Sequence, residues 1–164
     1  MSEGKKSVGM VALNDHIYVA GGHTSNRSVF ATVERYSTLT NEWEIMAPME
    51  HHRGGLELVH LDGYLYAIGG ADRSSYEGRF VHRKTMQRYD PAKNEWTSMA
   101  SMETAMAWFG STVFDGRIYV AGKNTFEVYD PTTDEWQVFP PPTECGMGRR
   151  LATFNGRIYS IGGG

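Results

Sequence analysis

Four times in this chain an apolar, β-prone run breaks off on glycine. The runs are His16-Ile17-Tyr18-Val19-Ala20-Gly21-Gly22, Tyr64-Leu65-Tyr66-Ala67-Ile68-Gly69-Gly70, Arg117-Ile118-Tyr119-Val120-Ala121-Gly122-Lys123 and Arg157-Ile158-Tyr159-Ser160-Ile161-Gly162-Gly163. Each reads as a buried strand that ends where no side chain fits. A phrase recurring roughly every 40 to 53 residues is the mark of a repeat protein, so the repeat has to be read before any single residue.

Each unit unfolds in the same order. In the first, residues 8–13 are apolar or small throughout and predict a strand buried on both faces. Asn14-Asp15 turns the chain into residues 17–20, completing a hairpin. A polar loop over 23–28 carries Arg27, a third strand runs up to Tyr36, and a fourth begins at Trp43 and stops at Pro48. The second unit has its first hairpin at 55–61 and 65–68 around Asp62-Gly63. A long loop over 71–84 and a strand ending at Tyr89 follow, and the turn at 90–95 delivers Trp96. Proline early in that turn presets φ while Asp and Asn accept backbone hydrogen bonds. The third unit repeats the pattern with Asp115-Gly116, Tyr129-Asp130-Pro131 and Trp136, and the fourth reaches Gly162-Gly163.

Spacing makes the repeat quantitative. Tyr36 to Trp43, Tyr89 to Trp96 and Tyr129 to Trp136 are each 7 residues apart. From Trp43 to Gly70, Trp96 to Lys123 and Trp136 to Gly163 the step is 27 every time. Only the interval from the second glycine position to the tyrosine varies, at 14, then 19, then 6 residues. The scaffold is held fixed while one loop changes length.

These linked landmarks resemble the kelch motif over essentially the whole chain after Lys6. The resemblance rests on the double glycine, on Tyr-Asp-Pro before each tryptophan and on the constant step between them. Lys123 in place of a second glycine and Ser37 in place of the aspartate are local departures. The resemblance implies an all-β, kelch-type β-propeller segment made of four-stranded antiparallel blades. The blades fall at about 7–48, 54–101 and 108–140, with a half blade at about 150–164, making about 3.5 blades of an incomplete ring. Gly21, Gly22, Gly69, Gly70, Gly122, Gly162 and Gly163 are expected to let neighbouring backbones approach. Tyr36, Trp43, Tyr89, Trp96, Tyr129 and Trp136 are expected to fill the space between blades. An incomplete ring exposes blade edges. Three readings stay open: a piece of a longer protein, closure by a second copy with self-association through those edges, or an open arc.

Strand direction locates the expected site. In an up-down-up-down blade, the second-to-third loops and the crossovers between blades share one rim, and all the length variation lies there. The expected partner-binding residues are Arg27, Arg53, Arg73, Tyr76, Arg79, Arg83, Trp108, Arg149 and Arg150, with Phe80 and His82 nearby. Arginine together with aromatic residues is the composition of an interface that grips a protein or an acidic or phosphorylated peptide.

Other function classes find less support. The formal net charge of −3 gives no global reason to expect nucleic acid or an anionic membrane as partner. No apolar run approaches a membrane span, and one cysteine, Cys145, excludes an internal disulfide, so a cytoplasmic protein is expected. Some kelch propellers are enzymes: galactose-oxidase-like copper proteins, a sialic acid epimerase and iron-dependent plant specifier proteins. Here His51-His52 is the one adjacent histidine pair, and adjacent residues usually point apart. Cys145 has no base beside it, and no phosphate-cradling glycine loop opens a helix. The expectation is therefore no enzyme, no metal and no cofactor. The copies look like those of the BTB-kelch family, with Met46-Ala47-Pro48-Met49 and Met99-Ala100-Ser101-Met102 after the tryptophans. That implies substrate recognition for a cullin-3 ubiquitin ligase, with actin binding as the alternative.

Overall fold

In the computed structural model, which describes residues 4–73, 78–141 and 148–163, each repeat is an antiparallel meander. The first blade pairs β1 (Gly9–Leu13), β2 (His16–Ala20), β3 (Val33–Ser37) and β4 (Glu42–Met46) in chain order. The second begins with β5 (Glu57–Leu61) and β6 (Tyr64–Ile68). It is interrupted by a small ribbon of β7 (Ala71–Arg73) and β8 (Phe80–His82), then resumes with β9 (Met86–Asp90) and β10 (Glu95–Met99). The third comprises β11 (Gly110–Phe114), β12 (Arg117–Ala121), β13 (Phe126–Asp130) and β14 (Glu135–Phe139). β15 (Arg150–Phe154) and β16 (Arg157–Ile161) form a final hairpin. The first strands of successive units, β1, β5, β11 and β15, lie side by side along the inside of the arc.

Turn chemistry sets the register. Asp62-Gly63, Asp115-Gly116 and Asn155-Gly156 all hold positive φ at both central residues, the geometry of a tight hairpin turn. In the third-to-fourth turns Asn41, Asn94 and Asp134 sit at φ of 60°, 55° and 55°. Each Asx side chain accepts a hydrogen bond from the tyrosine hydroxyl five residues earlier, at 2.8 Å from Tyr36, 2.7 Å from Tyr89 and 2.8 Å from Tyr129. This bond closes each third-to-fourth turn, inside the 7-residue step from tyrosine to tryptophan.

The apolar core lies between blades rather than within them. One cluster packs Tyr18, Val33, Met46 and Met49 of the first blade against Leu58, Leu65 and Tyr89 of the second. A second packs Tyr66, Ile68 and Met86 against Phe109, Ile118 and Tyr129 of the third. Double glycines sit where blades close on each other. Gly69 and Gly70 have φ of +58° and +91°, and a Cβ on Gly69 would meet the Met106 carbonyl at 2.6 Å. The third copy departs from this: Gly122 lacks positive φ, consistent with Lys123 following it.

Two expectations need correction. The 71–84 segment is not a plain loop, because β7 and β8 pair as Ala71↔His82, Asp72↔Val81 and Arg73↔Phe80. An ion pair of 2.9 Å between Asp72 and Arg83 ties the base of that ribbon. Nor is β1 buried on both faces, since Met10 is 65% exposed. The face of the first blade that carries Met10, Trp43 and Ile45 has no neighbouring blade among the described residues. No helix among those residues is long and apolar enough to cross a membrane.

Candidate partner-binding rim

The crossovers that open each blade are linked by their backbones. The N–H of Gly55 donates to Ser7 O at 2.8 Å, that of Trp108 to Gly55 O at 2.8 Å, and that of Gly148 to Trp108 O at 3.2 Å. All four residues take positive φ: Ser7 56°, Gly55 65°, Trp108 52° and Gly148 77°. A left-handed tryptophan is strained and persists only when its surroundings over-determine it. Gly55 supplies the space: a Cβ there would stand 2.7 Å from the Trp108 ring. The Trp108 Nε1–H also reaches Ser7 Oγ at 3.3 Å.

From Trp108 an aromatic bridge crosses the rim. Phe80 meets Trp108 edge-on with ring centres 5.5 Å apart, and His82 does so at 5.8 Å. Phe80 in turn touches His23 of the first blade at 5.8 Å. The ribbon strand β8 thus spans the second-to-third loop of blade one and the crossover into blade three. Burial first, and nearby Lys6 second, lower the pKa of His23, and its buried Nδ1 has no hydrogen-bond partner among the described residues.

The expected rim arginines divide sharply. Arg27, Arg73 and Arg79 are exposed there. Arg83 is half-buried and paired with Asp72. Arg150 is exposed toward the inside of the arc, donating to Phe109 O at 2.7 Å and to Glu57 at 3.2 Å. Glu57 also accepts from Ser111 Oγ at 2.7 Å, yet burial raises its pKa. Tyr76 and Cys145 lie outside the described residues.

Arg53 does not belong to the exposed rim. It is 0% exposed, and its guanidinium donates to the carbonyls of Gly69 at 2.7 Å and Thr85 at 2.8 Å and to Thr85 Oγ1 at 2.9 Å. It ties the first crossover to the base of the second blade's loop. Burial and neighbouring Arg83 lower its pKa to about 10, so it stays cationic at neutral pH. Arg149 is also withdrawn, at 5% exposed, but it borders a cavity of about 490 Å3 that opens beside Trp108, His82 and Lys123.

Lys123 and His23 were not among the expected partner-binding residues. The signal for Lys123 was present, because a lysine stands where other copies place glycine. His23 offered none, since its burial depends on Phe80 arriving from another loop. Among the described residues no group of three or more His, Cys, Asp or Glu could hold a metal ion.

The Kelch motif matches residues 5–50, 52–103 and 109–143. Kelch-like protein 26 of Danio rerio is 30% identical over 163 residues, which is 92% of this chain and 26% of that protein. Beta-scruin of Limulus polyphemus is 33% identical over 116 residues, covering 69% of this chain and 12% of that protein. The chain therefore spans about a quarter or less of the length of these relatives. The solved structure of YjhT superimposes with a TM-score of 0.83 over 99% of this chain and 59% of its own, at 19% identity, which speaks to the fold.

Proposed function

The chain belongs to the kelch-repeat family, and from that premise we propose that it is a protein-interaction module whose rim of crossovers and second-to-third loops captures a protein partner. One observation carries this reading: Phe80, His82 and strained Trp108 form an aromatic bridge on that rim, with Arg73 and Arg79 exposed on the same ribbon. Aromatic anchors held rigid beside arginines are the composition of binding hot spots. Strain kept at one position of an otherwise regular scaffold also supports function there.

The finer reading is a substrate-recognition propeller of a BTB-kelch, cullin-3 ubiquitin ligase adaptor acting in the cytoplasm. Its support is the resemblance of the repeats and the similarity to Kelch-like protein 26. Affinity purification tests both levels. The wild-type chain is compared with an Arg73→Glu, Arg79→Glu variant and with a Lys93→Glu control on the opposite rim. Loss of the same partners in the first variant alone is the expected result; equal recovery from all three would contradict the rim. Absence of cullin-3 from complexes of the full-length gene product would remove the adaptor reading and leave the rim standing.

A further inference from the structure

The cavity beside Trp108 contains an arginine that the repeat does not require. In earlier copies the residue just before the inner strand is apolar and packs on the first glycine of the preceding blade. Leu56 comes within 3.0 Å of a Cβ placed on Gly21, and Phe109 within 2.9 Å of one on Gly69. In the last unit that position is Arg149. Its side chain is buried, its Nε has no hydrogen-bond partner, and it makes no ion pair among the described residues. A buried guanidinium left this way is costly unless an anion meets it.

The neighbourhood concentrates positive charge at one point. Lys123, at a position where the three other copies have glycine, lines the same cavity, is exposed and has no ion pair among the described residues. The buried carboxylate of Glu127, bonded to the cavity residues Thr104 and Thr125, already accepts from the N–H groups of Glu103 at 2.8 Å and Thr104 at 3.0 Å and from Thr125 Oγ1 at 3.2 Å. Arg150 next door is turned to Glu57. The remaining wall combines Met106, Ala107 and the Trp108 ring with the polar side chains of His82, Thr104, Asn124 and Thr125.

We propose that this cavity is a subsite for one acidic side chain of the captured protein, its carboxylate held by Arg149 and Lys123 and its methylenes laid against Trp108 and Met106. The proposal rests on the rim reading and adds the chemistry of one position within it. A planar carboxylate matches a guanidinium fork in two parallel bonds, and one ammonium completes neutralisation.

The test is a titration of the whole chain with the capped tripeptide acetyl-Gly-Glu-Gly-amide, its Gln counterpart and inorganic phosphate. Nuclear magnetic resonance follows the Arg149 Nε–H and Trp108 indole N–H signals. Both signals are expected to shift saturably with the Glu peptide and at least about tenfold more weakly with the Gln peptide. Lys123→Ala, a change at an exposed residue, should weaken the Glu peptide by about tenfold as well. Equal response to Glu and Gln peptides, no effect of Lys123→Ala, or tighter binding of phosphate would each overturn the proposal. Partner capture that depends on Arg73 and Arg79 while the Arg149 signal stays silent would sink this subsite alone. A responsive Arg149 signal in a chain whose rim captures nothing would sink the wider reading instead.

Discussion

The indole N–H of Trp96 donates to the carbonyl of Ala47 across the boundary between the first two blades, at 2.8 Å. The N–H of the same Ala47 donates to Asn94 Oδ1 at 2.8 Å, so both backbone groups of this residue are held by the next blade. The third blade repeats the clamp on Ala100, with Trp136 at 2.9 Å and Asp134 at 2.9 Å. The clamped residues are the alanines of the Met-Ala pairs that follow Trp43 and Trp96. Pro140, at the corresponding position after Trp136, has no N–H to offer.

Removing the donor at this clamp should be felt only where a clamp exists. Trp96→Phe keeps most of the buried ring but leaves the Ala47 carbonyl unpaired, and should cost about 1–2 kcal/mol. Trp43→Phe, at a residue 44% exposed that faces no neighbouring blade among the described residues, should stay within about 0.5 kcal/mol. Urea unfolding of both variants checks the contrast. Equal losses would show that the ring rather than the N–H matters.

Arg53 should behave as a structural tie. Arg53→Ala removes three hydrogen bonds from a charged donor and leaves the Gly69 carbonyl unpaired, while Thr85 O keeps the Gly69 N–H at 3.1 Å, a loss of about 2–4 kcal/mol. A melting temperature unchanged from wild type would return Arg53 to the rim as a binding residue.

Alkaline pH should unfold the chain by a traceable route. Burial raises the pKa of Tyr66, Tyr89 and Tyr129 above the usual value of 10.0; nearby Tyr18 adds to this for Tyr89, at about 12, and the bond to Asp134 adds to it for Tyr129. A raised pKa means the folded state holds protons that the unfolded chain releases. Their contribution is intact below pH 10 and declines above it, by about 1.4 kcal/mol per pH unit for each group. Arg53, lowered from 12.5 to about 10, acts in the opposite sense over that range, one group against three. Urea midpoints should therefore fall between pH 10 and 11, and these phenols should ionise only as the chain unfolds. Phenolate absorbance from all nine tyrosines near pH 10 in a still-folded chain would contradict the burial.

Much of this architecture was legible because its determinants are local. Asp62-Gly63 and Asn155-Gly156 specify hairpin turns by themselves, and the 7-residue step from Tyr89 to Trp96 records a bond closed within one turn. The charged residues were read less well for a matching reason. An arginine in isolation reads as solvated; Arg53 is buried because the carbonyls of Gly69 and Thr85 converge on it from 16 and 32 residues away. The β7–β8 ribbon was hidden because its strands are only three residues each and pair across the segment between them. Arg149 was nominated as a rim residue, yet its distinction from Leu56 and Phe109 emerges only when copies are superimposed.

The most direct measurement of the central claim is site-specific photo-crosslinking. A photoreactive residue is placed at Arg79 on the ribbon rim or at Lys93 in the turn on the opposite rim, and the co-purified partner is analysed for covalent capture. Crosslinks from position 79 and none from 93 are expected. Capture from 93, or equal capture from both, would contradict a binding rim built from the crossovers and second-to-third loops.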